Sequence, residues 1–249
     1  MDVGNSRIKW CVSEGAQMVV GAPMNSRAPL GTQLDAMWAK IERPHVVGLS
    51  NVAGTRVGSE ISNWIQENWG VPIFEARSEP EASGMICGYR EPKSLGVDRW
   101  LAMLGAYQRF GCPFIVVDLG TAVTIDVVDQ NGVHLGGYLL PGRSSMAGVL
   151  SADTSAVDVP YPDFETSFEP GANTRECLER GILLAIIGAI EHVSAGLTEH
   201  LGLTPRLVLT GGDAEWARAA LGLSCEVDDL LVFRGLMESL GSWTGPLKS

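Results

Sequence analysis

Two short stretches, 116 residues apart, carry the same residue types in the same order. Asp2-Val3-Gly4-Asn5-Ser6-Arg7-Ile8-Lys9-Trp10 is echoed by Asp118-Leu119-Gly120-Thr121-Ala122-Val123-Thr124-Ile125-Asp126. Each is an acid, an apolar residue, a glycine, an amide or hydroxyl and a small residue, followed by a second strand-like run. A hairpin turn of that composition suits phosphate chemistry. The glycine lets backbone N–H groups approach a phosphate closely. The acid can hold a hydrated cation, and Asn or Thr adds a polar contact. One such turn is common and says little. Two at a half-chain spacing, each opening a strand–hairpin–helix series, indicate an internal duplication. A third glycine turn, Thr210-Gly211-Gly212-Asp213, falls between a strand and a helix, where a nucleotide's sugar or phosphate can approach. The pattern predicts two similar lobes closing on a nucleotide.

The elements that must position these turns alternate between strand and helix. Leu30, Leu34, Met37, Trp38 and Ile41 share one helical face over residues 30–41, and Pro44 stops the run. Residues 46–52 read as a buried strand. Val57, Ile61, Trp64, Ile65 and Trp69 stripe a second helix that Gly70 ends, and 71–75 form another short strand. Residues 78–93 are loop-like, with Pro80, Gly84, Gly88 and Pro92, and Asp98 opens a helix that stops near Gly111 and Pro113. Three strands follow at 114–119, 122–128 and 134–140, the last two joined by an Asn131-Gly132 hairpin. A polar stretch with Pro160, Pro162 and Pro170 reads as a surface loop. The longest helix runs from Thr174 to about His200; its Gly181, Gly188 and Gly196 suggest tight packing against a neighbour. Arg206–Thr210 is a strand running into Gly211-Gly212 and a helix. The expected division is an N-terminal lobe, 1–112, and a C-terminal lobe, 113–249.

Composition bounds the partners. The chain has 249 residues, 45% hydrophobic and 19% charged, which excludes a disordered protein. Its 18 Lys and Arg against 29 Asp and Glu give a net charge of -11, which argues against nucleic acid held on a broad basic face. No uninterrupted apolar run reaches the ~20 residues a bilayer needs, and no signal peptide opens the chain, so no membrane partner is expected. Five dispersed cysteines read as reduced thiols of a cytoplasmic protein, and four scattered histidines give no zinc site.

At these residues the chain resembles the acetate and sugar kinase, heat-shock chaperone and actin superfamily, and within it the type III pantothenate kinases. The narrower likeness runs through Asp2–Lys9, Asn51-Val52-Ala53, Gly88-Tyr89, Leu95-Gly96-Val97-Asp98-Arg99-Trp100, Asp118–Asp126, 136–142, Asn173-Thr174 and Thr210–Asp213. The G-x-D-R-W element followed by D-x-G-T-A-x-T is far more specific than either glycine turn. The resemblance implies an α/β fold of two ribonuclease-H-like lobes, each a mixed sheet flanked by helices. It implies ATP as phosphoryl donor and a pantothenate hydroxyl as acceptor, the first step of coenzyme A biosynthesis. By the same resemblance Asp98 is the catalytic base, and Tyr89, Gly96, Val97, Arg99 and Thr174 contact pantothenate, Arg99 through its carboxylate. Asp2 organises magnesium on ATP, with Val3, Gly4, Asn5, Ser6, Arg7, Ile8 and Lys9 around the first phosphate turn and Thr121 meeting ATP from the second. Asp118 matches the acid that binds a monovalent cation, K+ or NH4+.

A homodimer with a shared substrate site is also implied. The apolar surplus of the helices from Asp98 and Thr174 fits it, unless both are interior to one lobe. One departure stands out: family members carry apolar residues before the first D-x-G-N, whereas this chain opens Met1-Asp2, and loss of that strand would leave Asp2 poorly anchored. Two rival readings remain, another small-molecule kinase of the superfamily and a catalytically impaired regulatory factor. Without the resemblance, Asp98 reads as a helix-start acid, Thr174 as a helix-start hydroxyl, Tyr89 as an interface plug and Asp118 as a turn acid.

Overall fold

The computed structural model describes residues 1–15, 17–39, 41–153, 166–243, with the side chains of 150–153 outside the description. In chain order, β1 (Asp2–Val3), β2 (Arg7–Lys9), β3 (Cys11–Glu14), β4 (Gln17–Val20), β5 (Met24–Asn25), α1 (Leu30–Trp38), β6 (Val47–Asn51), α2 (Thr55–Asn68) and β7 (Ile73–Glu75) come first. β8 (Glu81–Ala82), β9 (Met85–Ile86) and α3 (Val97–Phe110) follow. The second series is β10 (Phe114–Leu119), β11 (Ala122–Val128), β12 (His134–Pro141), α4 (Arg143–Asp153), α5 (Thr174–Leu201), β13 (Arg206–Thr210), α6 (Ala214–Ala220) and β14 (Cys225–Val227), closed by α7 (Leu231–Gly241).

The chain forms two compact units. The first comprises Met1–Ser83, Arg90–Gln108 and the stretch from Leu231 onward; the second comprises Gly84–Tyr89 and Arg109–Leu230. Each holds one five-stranded sheet, ordered β5-β2-β1-β6-β7 in the first and β12-β11-β10-β13-β14 in the second. In both, the first three strands run antiparallel to their neighbours and the last two join in parallel. The third-second-first-fourth-fifth order thus occurs twice, the duplicated ribonuclease-H-like arrangement that the two D-x-G turns imply.

The first unit's core gathers Val3, Ile8, Leu30, Leu34, Leu49, Ile61 and Ile65, none more than 2% exposed. Against it stand four tryptophans, with Trp38 meeting Trp10, Trp64 and Trp69 at ring centroids 5.0 to 6.1 Å apart. α3 is fixed by backbone-close packing on α7. A Cβ on Gly105 would stand 2.2 Å from the Leu231 carbonyl oxygen, and one on Gly235 would stand 1.9 Å from that of Leu101. The second unit's core sets Ile182, Leu183, Ile186, Ile187 and Ile190 of α5 against Ile115, Val117, Ile125 and Leu209 of the sheet.

Several expectations change. The first helix ends at Trp38, short of residue 41. The 78–93 stretch contains β8, β9 and a 3-10 turn at Pro92–Ser94. The Asn131-Gly132 connection is longer than a two-residue turn: Asp129 Oδ1 accepts from the N–H groups of Asn131 and Val133, and the register shifts at Val127/Val128. Among the described residues nothing packs tightly on Gly181, Gly188 and Gly196, since a Cβ on any of them would have none of those residues within 4 Å. The surplus of α3 and much of that of α5 is buried within the chain, with Trp100, Leu101, Met103 and Leu104 at most 1% exposed. α5 itself is long and apolar enough, by length and composition, to cross a membrane, though eight of its residues are buried in the second unit. Pro160 and Pro162 of the expected surface loop lie outside the described residues.

Candidate active site

The first unit carries the first D-x-G turn and the G-x-D-R element. Asp2 lies in β1, opposite Lys9 of β2 on one side and Ser50 of β6 on the other. Short as it is, β1 is anchored: the Met1 amino group donates to the Gly48 carbonyl (2.7 Å), and Ser50 N–H donates to the Met1 carbonyl (2.9 Å). Asp2 is therefore held in place in spite of the short strand. The turn closes where Gly4 N–H donates to the Arg7 carbonyl (3.0 Å), leaving Asn5 exposed at its tip. Val3 and Ile8 are fully buried, so their side chains belong to the core, and only their backbone is available to a ligand.

Burial pushes the Asp2 carboxyl above its ordinary range, because desolvation disfavours the charged form. The Lys9 charge opposes that shift, Asp98 reinforces it, and the Met1 amino group and a Ser50 hydroxyl at 3.4 Å oppose it further. Asp2 and Asp98 thus feel one another: the turn acid and the helix acid share a neighbourhood within one unit.

Asp98 is the second residue of α3, where a carboxylate also complements the helix dipole. Its Oδ1 accepts from Arg99 N–H at 2.8 Å. Gly96 makes the room, since a Cβ there would stand 2.6 Å from that oxygen. The approach to α3 is held by Ser78, whose hydroxyl donates to the Leu95 carbonyl at 2.9 Å. Asp98 and Arg99 are both half-buried, while Trp100 is in the core.

The second unit carries the second turn inside a cradle of three glycine loops. Asp118, the penultimate residue of β10, lies opposite Thr124 and Thr210. The Thr121 carbonyl accepts from Gly142 N–H (2.9 Å) and from the Ser145 hydroxyl (2.7 Å). A Cβ on Gly142 would stand 2.1 Å from the Gly120 carbonyl oxygen. Gly211 has φ +95, and its Cβ would meet Asp118 Oδ1 at 2.5 Å. Only glycine fits that left-handed backbone and that gap. Asp213 N–H donates to the Leu119 carbonyl (3.1 Å), and its buried carboxylate pairs with Arg143 at 2.6 Å, the guanidinium lying 4.7 Å over the Trp216 ring. Arg143 escaped the sequence reading because it follows Pro141-Gly142 with no pattern of its own; the buried ion pair becomes visible only when α4 reaches the Gly211 loop.

Tyr89 and Thr174 also belong to the second unit. Tyr89 is half-buried and stacks on His134. Thr174 is the exposed first residue of α5, but the cap is Asn173, which accepts from Glu176 N–H (3.0 Å) while Glu176 accepts from Ala172 N–H (2.8 Å) and the Asn173 amide. Those bonds, the Ala172 N–H foremost, hold the Glu176 carboxyl below its usual range. Among the described residues, no three His, Cys, Asp or Glu side chains group to hold a metal ion.

A sequence model of the type III pantothenate kinases matches residues 1–195. The chain belongs to that family. It is 38% identical over 242 residues to a type III pantothenate kinase of Pseudomonas aeruginosa (strain LESB58), covering 95% of this chain and 96% of that one. It is 34% identical to the Polaromonas sp. family member over 252 residues, 96% of this chain and 95% of that one. A solved Campylobacter jejuni structure, titled as a Baf family transcriptional activator, shares the fold at a TM-score of 0.63 and 21% identity, with 96% of each chain covered. At that identity the likeness concerns the fold alone.

Proposed function

We propose that this type III pantothenate kinase phosphorylates pantothenate with ATP to give 4'-phosphopantothenate, the step that opens coenzyme A biosynthesis. What supports the mechanism is that Asp2 of the first turn and Asp98 at the start of α3 lie in one compact unit, with Gly96 leaving room beside the Asp98 carboxylate. Phosphoryl transfer asks a protein for alignment, charge stabilisation and a proton acceptor. Asp98, with room made by Gly96, takes the proton of the pantothenate hydroxyl as that oxygen bonds to the γ-phosphorus and the bond to ADP breaks. Arg99, next in the helix, pairs its guanidinium with the pantothenate carboxylate. Tyr89, Gly96, Val97 and Thr174 complete the substrate contacts.

Asp2 with the Gly4–Lys9 turn would contact ATP, as would Thr121. Magnesium carried by ATP would neutralise phosphate charge, and Asp2 would hold it, since a carboxylate oxygen is the hard donor that such a cation takes. Because no protein cage of three side chains exists among the described residues, its other ligands would come from phosphate and water. Asp118, whose Oδ1 fills the gap left by Gly211, would hold K+ or NH4+.

The working form is a cytoplasmic homodimer with Thr174 of one subunit serving Asp98 of the other. Exposed apolar side chains on the second unit support it, namely Tyr138 (57%), Leu139 (64%), Val149 (62%) and Leu184 (63%). The test is incubation with ATP, magnesium, potassium and pantothenate, with formation of phosphopantothenate followed directly. Wild type should turn over, Asp98→Asn should lose nearly all activity while still binding ATP, and sodium in place of potassium should slow the reaction. Phosphorylation of a sugar or short-chain acid in preference to pantothenate would overturn the substrate assignment.

A further inference from the structure

A buried polar pair in the second unit takes no part in the chemistry above. Asp126 on β11 is 1% exposed and His134, the first residue of β12, is 0% exposed, with Asp126 Oδ1 3.0 Å from His134 Nε2. The carboxylate accepts, which puts a hydrogen on Nε2 and fixes the plane of the ring. His134 Nδ1 is buried with no hydrogen-bond partner among the described residues. Burying these groups disfavours the fold unless they are paired, and an apolar pair of similar volume would fill the same space. What an apolar pair lacks is a locked orientation.

The ring so locked is the platform under Tyr89. The two rings stack with centroids 5.6 Å apart and planes 17° from parallel. The Tyr89 segment is fastened to the same hairpin: Ile86 N–H donates to the Gly132 carbonyl at 3.0 Å, and Ile86 bridges Val133. Gly88 lies so close that a Cβ would stand 1.7 Å from the His134 carbonyl oxygen. Any side chain at 88 would lift the segment away and break the stack. Every contact in this chain of parts, from Asp126 through His134 to Tyr89, lies within the second unit.

We infer that Asp126 and His134 are positioning residues for pantothenate recognition, holding the Tyr89 phenol in the orientation in which it meets the substrate. The inference rests on the proposed role of Tyr89. His134 touches no substrate in this scheme; it acts through the ring it supports. His134→Gln should therefore raise KM for pantothenate roughly three- to thirtyfold, which lies within the range of coupling between residues in contact, while kcat and KM for ATP stay within about twofold. Asp126→Asn, which still accepts from Nε2–H, should stay near wild type, and in a Tyr89→Ala background His134→Gln should add nothing further. If His134→Gln does not fold, Asp126→Ala, which unpins the ring, reads the same KM ratio. Equal changes in the ATP and pantothenate constants, or the same increment with and without Tyr89, would overturn the inference. A 3-fluorotyrosine label read by fluorine NMR separates this result from failure of the kinase reading. The Tyr89 signal should move in His134→Gln whatever the enzyme phosphorylates, and an unmoved signal refutes the positioning role.

Discussion

The glycine two residues before Asp98 offers a test of the catalytic assignment that leaves the carboxylate itself intact. In Gly96→Ala the new Cβ would stand 2.6 Å from Asp98 Oδ1, against an ordinary contact distance of 3.4 Å or more, so the carboxylate must retreat by most of an ångström. The Arg99 side chain, 3.7 Å from the same Cβ, is not disturbed. Nor does the backbone resist, because Gly96 is not among the positive-φ residues. Alanine in place of glycine reduces the freedom of the unfolded chain, worth about 0.4–1 kcal/mol. It is a poorer residue just before a helix by about as much. The two nearly cancel, and the melting temperature should shift by less than about 4 °C. Activity should behave differently. A misplacement of ~1 Å in a reacting group costs about 100-fold, or about 2.7 kcal/mol of barrier. The assay is steady-state phosphopantothenate formation at saturating ATP and pantothenate, with melting followed on the same samples. A kcat within threefold of wild type, at unchanged stability, would refute the claim that the Asp98 position sets the rate.

Asp2→Asn should abolish tight ATP binding yet stabilise the fold at neutral pH. The Asp2 carboxyl is raised by burial, so its favourable contribution is present below the ordinary carboxylate range and is lost as pH rises through its folded value. Melting temperatures across pH 4 to 8 should therefore show the variant's advantage growing as pH rises, and a constant gap would contradict the burial argument. Gly196→Ala should gain about 1 kcal/mol, the helix-propensity difference, because a Cβ there meets none of the described residues within 4 Å; denaturant titration reads it, and a loss would mean that the position is covered. Mixed Asp98→Asn and Thr174→Arg subunits, each inactive alone, should recover activity through hybrid dimers that hold one intact site. No recovery despite demonstrated subunit exchange would sink the shared site.

The duplication was legible because it is local: each D-x-G turn is written in five consecutive residues, and the strands flanking it are runs of Val, Ile and Leu that a buried sheet requires. Asp98 by itself reads as a helix-start acid, and only its likeness to the G-x-D-R element singles it out; the structure adds that Gly96 leaves room for its carboxylate. The helix end marked by Gly70 also depends on neighbours in sequence, whereas the cap of α5 is Asn173 with Glu176, not the Thr174 hydroxyl that the sequence pointed to. What the chain order could not show is which distant segments meet. α7 returns to the first unit, where Gly105 and Gly235 let two backbones touch; nothing within five residues of either glycine announces it. Nor does periodicity say whether an apolar face meets its own chain or another copy, and the buried faces of α3 and α5 show how far the own chain can use them. Gly181, Gly188 and Gly196 look alike in sequence to Gly105, yet no described residue comes within 4 Å of a Cβ there, because a glycine's meaning lies in what approaches it. The ion pair of Arg143 with Asp213 and the Asp126–His134 pair under Tyr89 depend on loops and strands that only the tertiary structure brings within hydrogen-bond reach. A buried charge or ring reveals its partner through three-dimensional proximity, and spacing along the chain carries no record of it.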